Sequence, residues 1–225
     1  MLPTSIATGN WSDRANILAV DPSGKLVYVS GDSYSGGSAA YGYGTVAYDA
    51  VTGAQLWQAR FDGGRGGFNS AGRMVATPGA VLVSGQATAP SANDGNDATT
   101  VAYDPATGRQ LWTASVAPAH SDDYARAIGV SPDGRTAHLL TSDTPIVNYT
   151  ALTQLNLVAY DVATGVAKWT STLDGGLLNS LSGDALGMSP TGETVAVAGT
   201  LKRSANPLGE TSQNIYDGVV AAFSS

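Results

Sequence analysis

The chain has 225 residues, 43% of them hydrophobic, only 13% charged, and 28 of them glycine; this is the balance of a turn-rich globular protein with a sizeable core, not of a disordered chain. The net charge is −7 and Lys25, Lys168 and Lys202 are the only lysines, which excludes a basic face for nucleic acid or for an anionic membrane. No cysteine occurs, so disulfides and thiolate metal sites are excluded.

The N-terminal MLPTSIATGNW has neither a positive leader nor a long apolar run, and no signal peptide is expected. Charged residues, Gly or Pro interrupt every apolar run, so no membrane insertion is expected either. The first regular element is a strand with apolar residues at alternate positions, Leu18 and Val20, which predicts one buried face. A Pro–x–Gly turn reverses the chain within AVDPSGKLVYVSG (Ala19–Gly31), Pro setting φ and Gly admitting the conformation that follows. A second strand covers Val27–Ser30. After the Gly/Ser-rich loop SYSGGSAAYGYG comes a third strand, Val46–Tyr48, an Asp–x–x–Thr–Gly turn, and a fourth strand carrying Leu56 and Trp57.

The same order then recurs. Met74/Ala76, Ile128/Val130 and Leu186/Met188 mark further first strands; Val81–Ser84, His138–Thr141 and Val195–Ala198 mark further second strands. TVAYDAVTGAQLW (Thr45–Trp57) returns as TVAYDPATGRQLW (Thr100–Trp112) and LVAYDVATGVAKW (Leu157–Trp169). The Thr–Gly pairs at 52–53, 107–108 and 164–165 are spaced by 55 and 57 residues. No segment holds a helical period. Four-stranded units repeating at this distance predict an all-β protein, a β-propeller of four four-stranded antiparallel blades in one domain, residues 1–225. A parallel β-helix is the competing architecture, with a shorter coil and fewer hairpin turns.

Trp57, Trp112 and Trp169 precede the next turn proline (Pro78, Pro132, Pro190) by 21, 20 and 21 positions. Counting back from Pro22 places the equivalent of Trp near Met1, so the chain carries four first, second and third strands but three fourth strands. Leu2–Thr8 is the candidate for the missing strand, pairing with Val219–Phe223 and closing the ring as a monomer without exposed edges. The other reading is a piece of a longer propeller, cut between strands.

The set Ala47, Asp49, Thr52, Gly53, Trp57, with its counterparts Ala102, Asp104, Thr107, Gly108, Trp112 and Ala159, Asp161, Thr164, Gly165, Trp169, resembles the tryptophan-docking motif of pyrroloquinoline-quinone-type β-propellers, and the whole chain is similar to PQQ-like repeat proteins of bacteria. The resemblance implies a structural clasp: the Trp lies across the neighbouring blade at the Gly, and the Asp holds the turn. A flat ring buries much area where a side chain is missing. Quinoprotein dehydrogenases of this lineage have about twice as many blades, a calcium ion and a vicinal cysteine pair. This chain has no such pair and shows no matching carboxylate constellation, so PQQ and calcium rest on family resemblance alone and no cofactor is predicted.

Short turns fall on one side of the disc and long loops on the other, which is where a rigid scaffold usually carries a site. Six residues before each turn proline stand Asn16, Gly72, Arg126 and Asp184, with Arg73 one position on. They are expected around the channel mouth, where Asn16, Arg73, Arg126 and Asp184 could hydrogen-bond a polar ligand. The plainer reading, preferred here, is a structural ion pair between Arg126 and Asp184. His120, Asp122 and Asp123 look metal-like but belong to a loop. Asn93–Asp97 resembles part of a calcium loop without its downstream Glu. His138, set against Val27, Val81 and Val195, reads as a packed histidine with a local hydrogen bond. Tyr34, Tyr41 and Tyr43 could stack on a sugar or cover the blade edge. There is no Gly–x–Ser–x–Gly elbow and only two histidines, a poor set for nucleophilic catalysis. The expectation is a non-catalytic binding or interaction module with a protein or carbohydrate partner, in the bacterial cell envelope or outside the cell. The alternative is a quinone-dependent oxidoreductase or lactonase-like enzyme with its site at the channel mouth.

Overall fold

A computed structural model of the chain describes residues 13–36, 41–63, 67–89, 95–117, 122–144, 146–147, 150–151, 153–174, 179–204 and 214–224. Among these residues every regular element is a β-strand, and no helix is long and apolar enough to cross a membrane. Blade 1 is a sheet ordered β1 (Arg14–Val20), β2 (Leu26–Tyr34), β3 (Tyr41–Asp49), β4 (Gln55–Phe61). Blade 2 repeats the order with β5 (Ser70–Ala76), β6 (Val81–Thr88), β7 (Asn96–Tyr103) and β8 (Gln110–Val116). Blade 3 takes β9 (Tyr124–Val130) and β10 (Thr136–Asp143), sets aside the small hairpin β11 (Ile146–Val147) and β12 (Thr150–Ala151), and continues with β13 (Gln154–Asp161) and β14 (Ala167–Leu173). Blade 4 has three strands among the described residues, β15 (Asn179–Met188), β16 (Thr194–Ser204) and β17 (Asn214–Ser224). All pairings within the blades are antiparallel.

Local chemistry forms the turns. Asp21 accepts hydrogen bonds from the Ser23 hydroxyl (2.5 Å) and the Leu26 amide (2.7 Å), and Gly24 sits at φ +72°. These bonds hold the Asp21 carboxyl down at about 2. The inner strands β1, β5, β9 and β15 touch in succession, which stacks the blades around a common axis. Each seam is an apolar cluster. Tyr28, Ala47 and Trp57 of blade 1 meet Val81, Val83 and Tyr103 of blade 2; Leu82 and Trp112 meet Ile128 and Val130; Leu140, Leu157 and Trp169 meet Leu186, Val195 and Phe223.

No comparable packing joins β15 to β1, so the described blades stand as an arc. This overturns one expectation. Alternation predicted that Leu18 and Val20 are buried, yet they are 66% and 52% exposed, because among the described residues no blade packs on that face of blade 1. The face turned to blade 2 carries Ile17 and Ala19 instead. Blade 4 has the three strands that the sequence count gives it, while Leu2–Thr8 lies outside the described residues.

A second feature escaped the sequence reading. Each inner strand holds one β-bulge, and the extra residue is Asn16, Gly72, Arg126 or Asp184. Those positions do not share the parity of the apolar residues beyond them, because a bulge resets alternation. Opposite three of the bulges stand Gly31, Gly85 and Gly199, where a Cβ would come within about 2 Å of a backbone carbonyl of the bulged strand.

Candidate functional site

The repeated motif is spent on joining blades. Asp49 accepts bonds from the amides of Val51 (3.0 Å) and Thr52 (2.7 Å) and from the Thr52 hydroxyl (2.8 Å). Asp161 repeats all three with Ala163 and Thr164, and Asp104 accepts from the Ala106 and Thr107 amides. Donation from the Thr residues lowers the pKa of each of the three carboxyls. The chain then passes through Gly53, Gly108 and Gly165 at φ +69° to +72°, a conformation that costs an ordinary residue roughly 1–2 kcal/mol. The Trp57 indole donates to the Pro105 carbonyl of the next blade at 2.8 Å, and its ring lies where a Cβ on Gly108 would be, 2.5 Å from Cε3. Trp112 donates to the Val162 carbonyl at 2.9 Å and covers Gly165 in the same way.

Two halves of this joint are left over. Among the described residues nothing lies within 4 Å of a Cβ built on Gly53. At the other end Trp169 has no turn to cover, since the described part of blade 4 ends with β17. Trp169 and His138 instead border a cavity of about 360 Å³ between blades 3 and 4, with Pro132, Asp133, Lys168 and Thr191. By register His138 pairs with Gly129 and Ala159, as Tyr28 pairs with Ala19 and Ala47. It therefore matches Tyr28 and Leu82, not Val27 and Val81. The expected local hydrogen bond is missing as well. His138 is fully buried, its ring is 5.6 Å from that of Trp169, and neither ring nitrogen has a partner among the described residues. Burial, aided by Lys168, lowers its pKa. In the first seam the same space holds the next blade's turn, and the Pro105 carbonyl takes both the Trp57 indole and, at 3.4 Å, the Tyr28 hydroxyl. Further along the blade 3–blade 4 seam, Leu155, Leu173, Leu181 and Val219 line an apolar cleft of about 160 Å³.

Asn16, Arg126 and Asp184 occupy equivalent bulge positions and Arg73 follows the bulged Gly72, but the expected ion pair does not form. Arg126 donates to the Ser142 hydroxyl (2.7 Å) and lies over the Tyr124 ring at 5.5 Å. No Arg126–Asp184 pair is present among the described residues, and Asp184 is exposed. Arg73 donates to the backbone carbonyls of Arg126 and Gly72, and Asn16 to that of Ala71 at 3.3 Å. These contacts tie neighbouring inner strands together.

Tyr43 is a core residue, fully buried, with its hydroxyl on the Thr99 carbonyl at 3.3 Å. Tyr34 and Tyr41 form an aromatic row with Phe68, at ring distances of 5.0 and 5.4 Å. Asp122 accepts from the amide and side chain of Asn96, tying two loops. Asp123 is buried, its amide bonded to the Asn96 carbonyl. His120 and residues 93–94 lie outside the described residues. Among the described residues no three His, Asp or Glu side chains gather so as to hold a metal ion.

Comparison with known proteins places the chain. Residues 11–204 match the family model described as outer membrane protein assembly factor BamB. No curated protein matches. Among solved structures, acylaminoacyl peptidase from Pyrococcus horikoshii superposes with a TM-score of 0.51 at 10% identity, covering 92% of this chain and 33% of that one. The β-propeller domain of the Trilobed protease from Pyrococcus furiosus gives 0.49 at 8% identity, covering 93% and 54%. Quinohemoprotein alcohol dehydrogenase from Comamonas testosteroni gives 0.47 at 15% identity, covering 80% and 31%. The chain thus spans about a third to a half of the length of these proteins, and at such identities the likeness is one of fold.

Proposed function

Because the chain belongs to the PQQ-like β-propeller family whose model is described as outer membrane protein assembly factor BamB, we propose that it is a non-catalytic interaction module that binds polypeptide at the cell envelope. The envelope assignment rests on that family description. The observation that carries the binding reading is the cavity at the blade 3–blade 4 seam. His138 and Trp169 line a space that corresponds to the one filled in the first seam by the next blade's turn, whose Pro105 carbonyl accepts from Trp57. Trp57 and Trp112 each have a turn carbonyl as acceptor and Trp169 has none among the described residues, so a ligand carbonyl seated there would supply one.

Among the described residues β17 is an edge strand, which an extended chain can join by main-chain hydrogen bonds. The apolar cleft beside Val219 accommodates alternate side chains of that chain. The ligand class is accordingly a strand followed or preceded by a tight acidic turn of the Asp–x–x–Thr–Gly kind.

The test is calorimetric titration of the 225-residue chain with a synthetic TVAYDPATGRQLW peptide and a scrambled control. Specific binding that His138→Ala and Trp169→Ala each weaken supports the reading. Absence of binding, or equal binding of the scrambled peptide, overturns it. A strong rise in Tm with calcium plus quinone would favour the enzymatic alternative.

A further inference from the structure

We propose that the inner strands of blades 2 and 3 carry an oxyanion site, in which the guanidinium of Arg126, with Arg73 beside it, takes a carboxylate or phosphate group. The chain is acidic, with 18 Asp and Glu against 11 Lys and Arg, so its cations have carboxylates in excess to pair with. Among the described residues Arg60 pairs with Asp62, and Lys168 lies 3.9 Å from Asp161. Arg73 and Arg126 pair with none, and Asp184, in the bulge of the next inner strand, does not reach Arg126 and stays exposed.

The Arg126 side chain is held in place. Its backbone is the extra residue of the β9 bulge, outside the pairing ladder. Its Nε donates to the hydroxyl of Ser142 at 2.7 Å, and Ser142 is buried. Its guanidinium carbon lies over the Tyr124 ring, 5.5 Å from the centre, a cation–π arrangement. With Nε and one face of the plane occupied, the edge formed by Nη1 and Nη2 is left for a ligand. That edge offers two parallel N–H bonds, the fork that matches two oxygens of a carboxylate or phosphate. A side chain already fixed in this way has less rotamer freedom to lose on binding.

Arg73 adds a second positive charge next to it. Its Nε donates to the Arg126 carbonyl and its Nη1 to the Gly72 carbonyl at 2.7 Å. A tie of this kind between inner strands does not call for charge, since Asn16 makes one to the Ala71 carbonyl with a neutral amide. Blades 2 and 3 therefore set two cations where a neutral side chain serves between blades 1 and 2. Like charges on adjacent strands repel, and an anion bound to them removes that cost. This inference goes beyond polypeptide binding and uses neither His138 nor Trp169, so either can fail without the other.

Calorimetric titration of the full chain with succinate, inorganic phosphate and succinamide, the neutral counterpart of succinate, tests it. Constant ionic strength keeps general screening the same in every arm. Saturable binding of an anion with a rise in Tm is expected, and none of succinamide. Succinate alone assigns the site to carboxylates, phosphate alone to phosphates, and both together to oxyanions of either kind. Arg126→Lys keeps the charge without the fork and should weaken binding at least about tenfold. Ser142→Ala removes only the group that holds Nε and should weaken it to a lesser degree. Circular dichroism establishes that each variant is folded; if Arg126→Lys is not, Ser142→Ala and the succinamide comparison decide. The proposal is overturned if neither anion binds saturably, if succinamide binds equally well, or if the folded variants bind as the wild type does.

Discussion

The indole of Trp57 lies against Gly108 of the next blade so closely that a Cβ there would stand 2.5 Å from the ring, whereas the equivalent Gly53 meets nothing within 4 Å among the described residues. Both glycines have the same left-handed backbone, φ +71° and +69°. The pair separates the backbone cost of losing glycine from the packing cost. Gly53→Ala should lower stability by the conformational penalty only, about 1–2 kcal/mol. Gly108→Ala carries that penalty and also displaces a buried ring, so the loss should be clearly larger, by a further 1–3 kcal/mol or so as in overpacked cores. Urea denaturation of both variants gives the comparison; equal losses would show that the ring contact contributes little.

The three motif tryptophans, Trp57, Trp112 and Trp169, should not respond alike to loss of the indole N–H. Trp57→Phe and Trp112→Phe remove bonds to the Pro105 and Val162 carbonyls and leave those carbonyls partly buried, at a cost of about 1–3 kcal/mol each. Trp169 has no such bond among the described residues, and Trp169→Phe should be much milder. Thermal melts of the three variants decide the matter.

Acid should weaken the fold through its turns. The carboxyls of Asp49, Asp104 and Asp161 are lowered chiefly by donation from Thr52, Thr107 and Thr164, and Asp21 is brought to about 2 by Ser23 and Leu26. Because the folded pKa lies below the unfolded one, the stabilisation is complete above pH 4 and is lost as pH falls from there towards 2. Unfolding followed from pH 6 to pH 2 should show it. Asp104→Asn should flatten the profile in that window, since the amide keeps an acceptor but no longer titrates.

His138 gives a separate, milder dependence. Its lowered pKa means that the unfolded chain binds more protons just below pH 6.5, so stability should fall as pH drops through that range. His138→Leu, which copies Leu82 of blade 2, removes a buried group with two unpartnered nitrogens. It should raise stability by about 1 kcal/mol and abolish the slope that begins just below pH 6.5, while weakening the proposed peptide binding. Denaturant midpoints at pH 5.5 and pH 7.5 measure both effects on stability.

The blades were legible in the sequence because the repeat unit states its own turns. Pro22 and Gly24, Asp49 and Gly53 each announce a backbone constraint at a fixed offset, and the missing fourth strand followed from the Trp-to-Pro spacing. The failures have separate physical sources. A bulge inserts a residue without leaving a mark in hydrophobic alternation, so Asn16, Arg126 and Asp184 were assigned a parity they do not have. Alternation likewise reports that a residue suits burial, not that a neighbour is there to bury it, and so Leu18 and Val20 were expected in a core. His138 was set one residue out of register, although its distance of four from the turn Gly134 matches that of Tyr28 from Gly24. Counting from that turn glycine would have aligned His138 with Tyr28 and pointed to the seam.

The four bulges have a consequence for how this scaffold can diversify. Asn16, Gly72, Arg126 and Asp184 each occupy the unpaired place in their ladder, so their side chains are spared the repeat's demand for blade-to-blade complementarity. Four unlike residues there, beside three nearly identical turn motifs, fit a division of labour. The seams hold the architecture constant, while a row of supernumerary positions along the inner strands can change chemistry one blade at a time.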